Sequence, residues 1–493
     1  MRSTFFGFNI ARSGLFASQR SLDIIGHNIS NSETKGYSRQ RLEQREGRHL
    51  QVPGKGYIGT GVEMTTISQI RDVFLDQKFR QESTSFGEWE QRAMSLNQMQ
   101  AIMNEPSENA IRDVMDKFSS SLKKFQEEVS NPTMRTTVRQ NAIAFTNTLN
   151  HMYGQMEKLV KDTDFEVQST VDTINGYAEQ IASLNKQIYQ SEIGNGKAND
   201  LRDKRNLLID ELSKMINIEV VEVNTPGINS NKVNILVNGN PLVSHDTTDL
   251  IVKMDPEDHP AKAATDMNGL KVTNLRWSTG AKINQEALGG ELGGLIDIRD
   301  NISGDKKGVP YYMDQINKFA NAFVTKFNES HRKGYGLGKN TNGVDFFDPT
   351  GLSARSIKIS DAIDKDVNLI AAAGLPGGAS SDNQNLMELN NLFDKGFELP
   401  LGSGVNLKPK EFMNSMISNL GVDAQAAIRL GENQGYLLDE IDGQRMSISG
   451  VHLDEEMSNM VKFQHAYNAS ARMITTMDEM IDVIINRMGR VGL

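Results

Sequence analysis

The sequence predicts a mainly α-helical protein with an inserted β segment, and three observations carry that prediction. Both ends hold an apolar stripe at alternating three- and four-residue spacing, the narrow seam that a coiled-coil helix offers a partner. All 12 prolines lie between Pro53 and Pro409, so both terminal arms are free of that helix breaker. At Ile218 the apolar period changes from the helical 3.6 to the strand value of 2. Together these predict a discontinuous coiled-coil domain made of the two chain ends, an elongated helical bundle and a small outer β-rich domain.

The front stripe runs through Phe8, Ala11, Leu15, Ser18, Leu22, Ile25 and Ile29. A helix this long with one apolar edge is marginal alone in water, because nucleation is costly and packing of the edge supplies most of the stability. Each arm therefore needs a partner, either the other arm or the arms of neighbouring molecules, and the isolated chain is expected to leave both arms poorly protected from exchange. The run His27 to Gln40 follows, in which Asn28, Asn31, Thr34 and Tyr37 read as caps and turn hydrogen bonds at the helix exit. Gly54-Lys-Gly-Tyr-Ile-Gly59 fits a dinucleotide-binding spacing, but no strand precedes it and no helix follows, so it reads as a turn before the strand Val62 to Ile70. That strand closes a first segment, 1–70.

A helix is predicted from Asp72 to Asn104, and Pro106 and Pro132 mark further starts. Helical spacing returns from Val160 to Ile188, stops at Gly194 and Gly196, and resumes with Asn199 as cap to about Met215. These helices make 71–216 the first part of the bundle. The β-rich segment is 217–287: Ile218 to Val223, Pro226-Gly227, Val233 to Val237, a hairpin at Asn238-Gly239, Leu242-Val243, Leu250 to Met254 and Leu270 to Trp277. Residues 288–334 return to the bundle, burying Leu295, Ile298, Tyr312, Ile316, Phe319, Phe323 and Phe327. Loops dominate 335–405, with a strand at Ser356 to Ile359 and the glycine-rich Gly374 to Gly378; 406–450 is helical but broken at Gly421, Gly431, Gly435 and Gly443. The last segment, 451–493, is one helix with the stripe Leu453, Met457, Met460, Phe463, Tyr467, Ser470, Ile474, Met477, Ile481, Ile484 and Met488. Asp454, Glu455 and Glu456 suit the positive end of its dipole, and Arg487 and Arg490 the negative end.

Composition narrows the function. The 493 residues carry a net charge of −10, from 53 basic against 63 acidic side chains, a field that repels nucleic acid. Aromatics are only 6% while Met reaches 23, a mixture that favours long packed seams over one thick core. Without cysteine there are no thiol nucleophiles or zinc-thiolate sites, and the eight histidines never adopt paired ligand spacing. Asn340 to Asp345 lacks the acidic set of a calcium loop. No nucleophile elbow or phosphate loop occurs. Enzymatic, cofactor and metal roles therefore have no foothold. The N-terminus lacks the apolar core of a cleaved signal, and no apolar run approaches bilayer length, so membrane insertion is not expected.

Read with Asn28, Asn31, Thr34, Gly36 and Tyr37, the N-terminal run resembles the signature of flagellar rod, hook and hook-associated proteins. Arg39-Gln40, Ile58 to Val62 with Ile70-Arg71, Gly290 to Asp300, Phe327 to Gly334, and Ser449 to Glu456 continuing into Phe463 to Tyr467 and Ala469 to Arg472 are similar, in order, to the hook-associated protein 1 family. The resemblance is weakest over about 217–287 and 335–405. It implies an extracellular structural subunit of the bacterial flagellum, exported by the type III route without a cleaved signal, joining hook to filament in a helical or ring-shaped homo-oligomer. Its implied partners are the hook protein, a second junction protein (hook-associated protein 3) and a cytoplasmic export chaperone on the C-terminal helix. The assembly interface is then expected at Leu15, Leu22, Ile25, Asn28, Ile29, Phe463, Tyr467, Ile474, Met477, Ile481, Ile484 and Met488, with Asn31, Thr34, Gly36 and Tyr37 as a signature turn. Within one subunit, Leu15, Leu22, Ile25 and Ile29 are expected to pack with Tyr467, Ile474, Ile481 and Ile484. The alternatives are a hook or rod subunit of the same machine, or a secreted enzyme on a flagellar scaffold.

Overall fold

The structure, a computed structural model, describes residues 6–52, 56–103, 111–194, 196–224, 231–267, 269–337, 341–377 and 382–487. In chain order come α1 (Phe6–Ser30), β1 (Gln40–Glu46), β2 (Leu50–Val52), β3 (Gly56–Ile58), β4 (Val62–Gln69), α2 (Val73–Met103), α3 (Ile111–Glu127), α4 (Pro132–Glu192) and α5 (Asn199–Met215). Next are β5 (Glu219–Asn224), β6 (Asn231–Val237), β7 (Asn240–Ser244), β8 (Thr247–Thr248), β9 (Ile251–Lys253), β10 (Glu257–Asp258), the short α6 (Lys262–Thr265), β11 (Lys271–Val272) and β12 (Leu275–Trp277). The chain ends with α7 (Gly290–Asp300), α8 (Val309–Lys333), α9 (Asp361–Lys365), α10 (Gln384–Asp394), β13 (Phe397–Glu398), β14 (Asn406–Leu407), α11 (Pro409–Ser449) and α12 (Leu453–Asp482). The fold is mainly α with small antiparallel sheets.

Contacts divide the chain into two compact units, residues 1–84, 174–250 and 435–493 in the first, and 85–173 with 251–434 in the second. The divisions fall inside α2, α4 and α11, and between Leu250 and Ile251, so the stretch 217–287 is not one β-rich body. The four-stranded sheet β5-β6-β7-β8 belongs to the first unit, whereas the two-stranded pairs β9 with β12 and β10 with β11 belong to the second. The hairpin at Asn238-Gly239 forms as the dipeptide requires, with φ of 51° and 79° at its two central residues.

The second unit is cored by phenylalanine. Phe118, Phe145, Phe319, Phe323, Phe327, Phe346 and Phe347 are fully buried, with neighbouring ring centroids between 4.9 Å and 6.5 Å apart. The low overall aromatic content concealed a thick core, because the rings are concentrated in one unit. Every position expected to be buried in 288–334 is buried. Asn328 ties this core to the loop after α8: its Oδ1 accepts from the backbone N–H groups of Phe346 and Phe347, and its Nδ2 donates to the Phe347 carbonyl. Arg299, 0% exposed, closes α7 onto β11 and β12 by donating to Asp164, Asp300 and the Thr273 carbonyl.

Several local expectations are corrected. The helical spacing read from Val160 belongs to a single helix beginning at Pro132, since no proline interrupts it after that start and Gly154 and Gly176 do not break it. The four glycines of 406–450 do not break α11. A helical glycine costs only about 1 kcal/mol against alanine, and α2 passes close enough that a Cβ on Gly421 would lie 3.3 Å from the Gln100 amide. Asn199 is not a cap; Ala198 holds that place, and the Asn199 amide donates instead to Gln40 Oε1 and the Ile67 carbonyl. The loop-rich stretch 335–405 contains α10, and its strand at Ser356 to Ile359 shrinks to one bridge between Phe347 and Ile359. The last helix leaves α geometry at Asp482 and continues as a π turn, Val483–Arg487, for which the sequence offers no physical signal. Pro106, Pro226-Gly227, Asn340, Gly378, Met488 and Arg490 lie outside the described residues.

Candidate functional site: the paired chain ends

The two ends of the chain form one antiparallel helix pair. A Cβ on Gly7 would meet Met477, one on Gly14 would lie 3.2 Å from the Ser470 hydroxyl, and Asn28 reaches Glu456. As positions advance along α1 they recede by equal steps along α12. Glycine and serine at the crossing let the two backbones approach closely. On its other side α1 carries the β1–β4 ribbon: the Ser13 hydroxyl accepts from the Val62 N–H, and the Gln44 side-chain amide donates to Ser21. A helix held on two sides buries more than one stripe, which is why Ala17, Ser21 and Ile24 are buried beside Ala11, Ser18 and Ile25.

This register corrects the expected pairings. Leu22, Ile25 and Ile29 lie toward the start of α12, while Ile481 and Ile484 lie past Met477, where the described part of α1 has ended. Ile25 is buried and Leu15, Leu22 and Ile29 half-buried; Phe463, Tyr467, Ile474, Met477 and Ile481 form a half-buried seam along α12. Ile484 is 46% exposed, and Met488 is outside the described residues. Flanking the seam, Met457, Val461, Met473 and Met480 stay about half exposed, as does Phe16 on α1.

Asn28 is the largest correction. Expected at an assembly interface, it is 1% exposed and spends its whole amide inside the chain. Nδ2 donates to the Gln40 carbonyl at 3.0 Å and to Glu456 Oε2 at 3.1 Å; Oδ1 accepts from the Gln40 N–H at 3.0 Å and the Tyr37 hydroxyl at 2.8 Å. That is the full capacity of a primary amide's two donors and two paired acceptor sites. Glu456, assigned to the helix dipole, is likewise buried at 2% exposure and also accepts from Arg39 Nε at 2.7 Å. Arg39 donates from Nη1 to Glu455, and its N–H to the Ser449 carbonyl at the end of α11.

The signature turn extends this clasp to α5. Asn31 caps α1 by donating to the His27 carbonyl and accepts from Thr34, which is exposed. Gly36 has φ of +80°, and a Cβ there would press Leu207 at 3.1 Å, so both backbone and space call for glycine. Tyr37 bridges His27 and Asn28, and burial, with Asp200, Asp203 and Glu456 nearby, raises its hydroxyl far above the usual phenol range. The Ser38 N–H donates to Asp203 Oδ2, whose carboxyl is raised chiefly by burial. Lys35 pairs with Glu211 at 2.6 Å. Beneath the turn, Arg71 donates to Ser38 and, by two bonds, to Asp76.

The bond between Arg39 and Glu456 escaped the sequence reading, as did Gly7, Gly14 and Asp203. The first two sit in segments already singled out, and an i-to-partner pattern across more than 400 residues has no local signal. Among the described residues no three His, Asp or Glu side chains gather as a metal site, and no helix is long and apolar enough to cross a membrane.

The site is a helix pair made of the two chain ends, locked by a polar clasp and bordered by exposed apolar side chains, an arrangement that suits a structural protein. Residues 443–488 match the family model described as flagellar basal body rod FlgEFG protein C-terminal, and residues 96–347 that of the flagellar hook-associated protein FlgK helical domain. The chain is 32% identical to flagellar hook-associated protein 1 of Bacillus subtilis across 99% of both chains, and 23% identical to that of Escherichia coli across 97% of this chain and 99% of the other. The solved flagellar hook junction protein FlgK of Burkholderia pseudomallei shares the fold over 76% of this chain and all of its own, with a TM-score of 0.61 at 12% identity. The chain belongs to the flagellar hook-associated protein 1 family, a family of structural proteins and not of enzymes.

Proposed function

We propose that this protein polymerises through its paired terminal helices into the adaptor between flagellar hook and filament. The observation that carries the reading is the division of labour on α12: one seam is half-buried against α1, while Met457, Val461, Met473, Met480 and Ile484 remain exposed without a cover in the single chain. Exposed apolar side chains that recur along a long helix suit association surfaces. A copy contacting different faces above and beside it makes heterologous contacts, which propagate helically instead of closing as a dimer.

Membership of the family and the exposed edge also support the finer reading: export through the flagellar type III route with the chain uncleaved, a chaperone covering α12 before export, and the hook protein and hook-associated protein 3 as neighbours. Asn28 and the signature turn act within the subunit in this scheme, fixing the helix pair on α5 so that its outer edges are presented at one angle.

Met480→Asp tests it. The side chain is 55% exposed, so the isolated variant keeps the parent's thermal transition. In cells lacking the native protein, the labelled variant is absent from the junction and filaments fail to attach. Normal attachment by this variant overturns the assignment of that edge.

A further inference from the structure

In the first unit, β5 is the outermost strand of the four-stranded sheet: one edge pairs with β6 from Glu219 to Asn224, and among the described residues no strand lies beside the other. An unpaired edge of six residues, roughly 20 Å long, is a template for another strand unless it is blunted by proline, lysine or a bulge. Glu-Val-Val-Glu-Val-Asn contains none of these, and its only charges are the two glutamates. The space beside it is a groove of about 550 Å³, walled by Val220 and Glu222 of β5 and by Val73 and Arg80 of α2, with Arg202 and Arg205 of α5 also lining it.

Arg205 is unlike its neighbours. Arg80 pairs with Asp210 at 2.8 Å and Arg202 with Glu192 at 2.7 Å. Arg205 is only 3% exposed, yet it has no carboxylate partner: Nη1 donates to Asn185 Oδ1 at 3.1 Å, and Nε has no partner. Burial, with Arg202 alongside, pulls the guanidinium down to about 10. Glu222 and Glu192 act on it only through space; a buried cation with no carboxylate in contact is costly, and an incoming carboxylate offsets that cost. Glu219 and Glu222 are exposed at the rim; an identical β5 laid alongside would bring like charges close together, which disfavours pairing between two copies of this strand.

We propose that the groove between β5 and α2 accepts an extended segment of a partner polypeptide as a fifth strand, with a carboxylate of that segment seated on Arg205. Main-chain hydrogen bonds to β5 supply affinity and the buried arginine selects an acidic side chain, the division of roles seen in strand addition generally.

The test uses the full chain and three labelled seven-residue peptides of alternating threonine and valine, with glutamate, glutamine or lysine at the centre. By fluorescence anisotropy the glutamate peptide binds saturably and at least tenfold more tightly than the other two, and hydrogen exchange slows at 219–224. In Arg205→Gln the advantage of glutamate over glutamine disappears while strand protection by either peptide persists. Equal binding of the three peptides by the native chain, or binding without protection of 219–224, overturns the proposal without recourse to any variant. Succinate that competes fully with the glutamate peptide and leaves β5 unprotected would reassign the groove to free anions. Protection of β5 that grows with protein concentration alone would reassign it to a second copy.

Discussion

Replacing Asn28 by alanine removes the amide that ties α1, the signature turn and α12 together, and its cost follows from what is left behind. The Gln40 N–H and carbonyl both lose their partner at a position only 9% exposed. Each buried backbone group left unsatisfied costs about 1–3 kcal/mol. The Tyr37 hydroxyl retains His27, and Glu456 retains Arg39, so these losses are small. The sum is about 3 kcal/mol against local opening of the helix pair, or roughly a hundredfold in the opening equilibrium. Hydrogen exchange followed by mass spectrometry reads this directly. Because the two arms pair within the chain, the expectation that both are poorly protected is reversed: protection should be greatest at the clasp, around 22–30 and 453–463, and decline toward Gly7 and Met477. In Asn28→Ala, amides of 453–477 exchange on the order of a hundredfold faster while α8 is unchanged. Unaltered exchange of α12 would refute the claim that Asn28 is the lock; collapse of protection in α8 as well would show that its role is global. Asn28→Asp adds a sharper control. A carboxylate placed beside Glu456 is harder to ionise folded than unfolded, so the folded variant binds its proton more tightly and its stability falls as pH rises through the raised pKa.

His331 predicts a pH dependence in the second unit: its Nδ1–H donates to the Val344 carbonyl and Nε2 accepts from the Ala371 N–H, so burial keeps it neutral and pushes it down to about 4. The unfolded chain takes up this proton below about 6.5, so stability present above that pH is lost as pH falls toward 4, on the order of 3 kcal/mol; denaturant melts at pH 7.5 and 4.5 should show a larger loss in the native chain than in His331→Gln. Gly294→Ala places a methyl 2.8 Å from the Glu88 carbonyl and should destabilise by about 1–3 kcal/mol in the same melts. Gly154→Ala, with nothing within 4 Å of the new methyl on α4, should instead stabilise by about 0.5–1 kcal/mol.

What could be read in advance divides along a physical line. Elements whose cause is local were legible: α2 and β4 fall within a residue or two of their expected limits, the Asn238-Gly239 hairpin forms because both φ values demand such residues, and the stripe Phe463, Tyr467, Ile474, Met477 faces inward because its period matches the helix. Elements whose cause is a distant partner were not. Gly421 reads as a breaker until α2 lies against it, Asn199 reads as a cap until Gln40 claims its amide, and the phenylalanines read as sparse until one unit gathers them. The same line runs through the site. Periodicity identified the seam of α12 that packs on α1, since a helix displays it along its own sequence, but not the exposed Val461, Met473 and Met480. Asn28 was noticed but misassigned, because a polar residue in an amphipathic helix announces only that something must satisfy it. Its three partner residues lie 9 to 428 positions away, and they make an expected interface residue part of the clasp inside the chain. Half-exposed Phe16 and buried Asn28 therefore stand for two kinds of position on one helix, so a substitution scan of α1 should separate variants that keep the helix pair from variants that lose it.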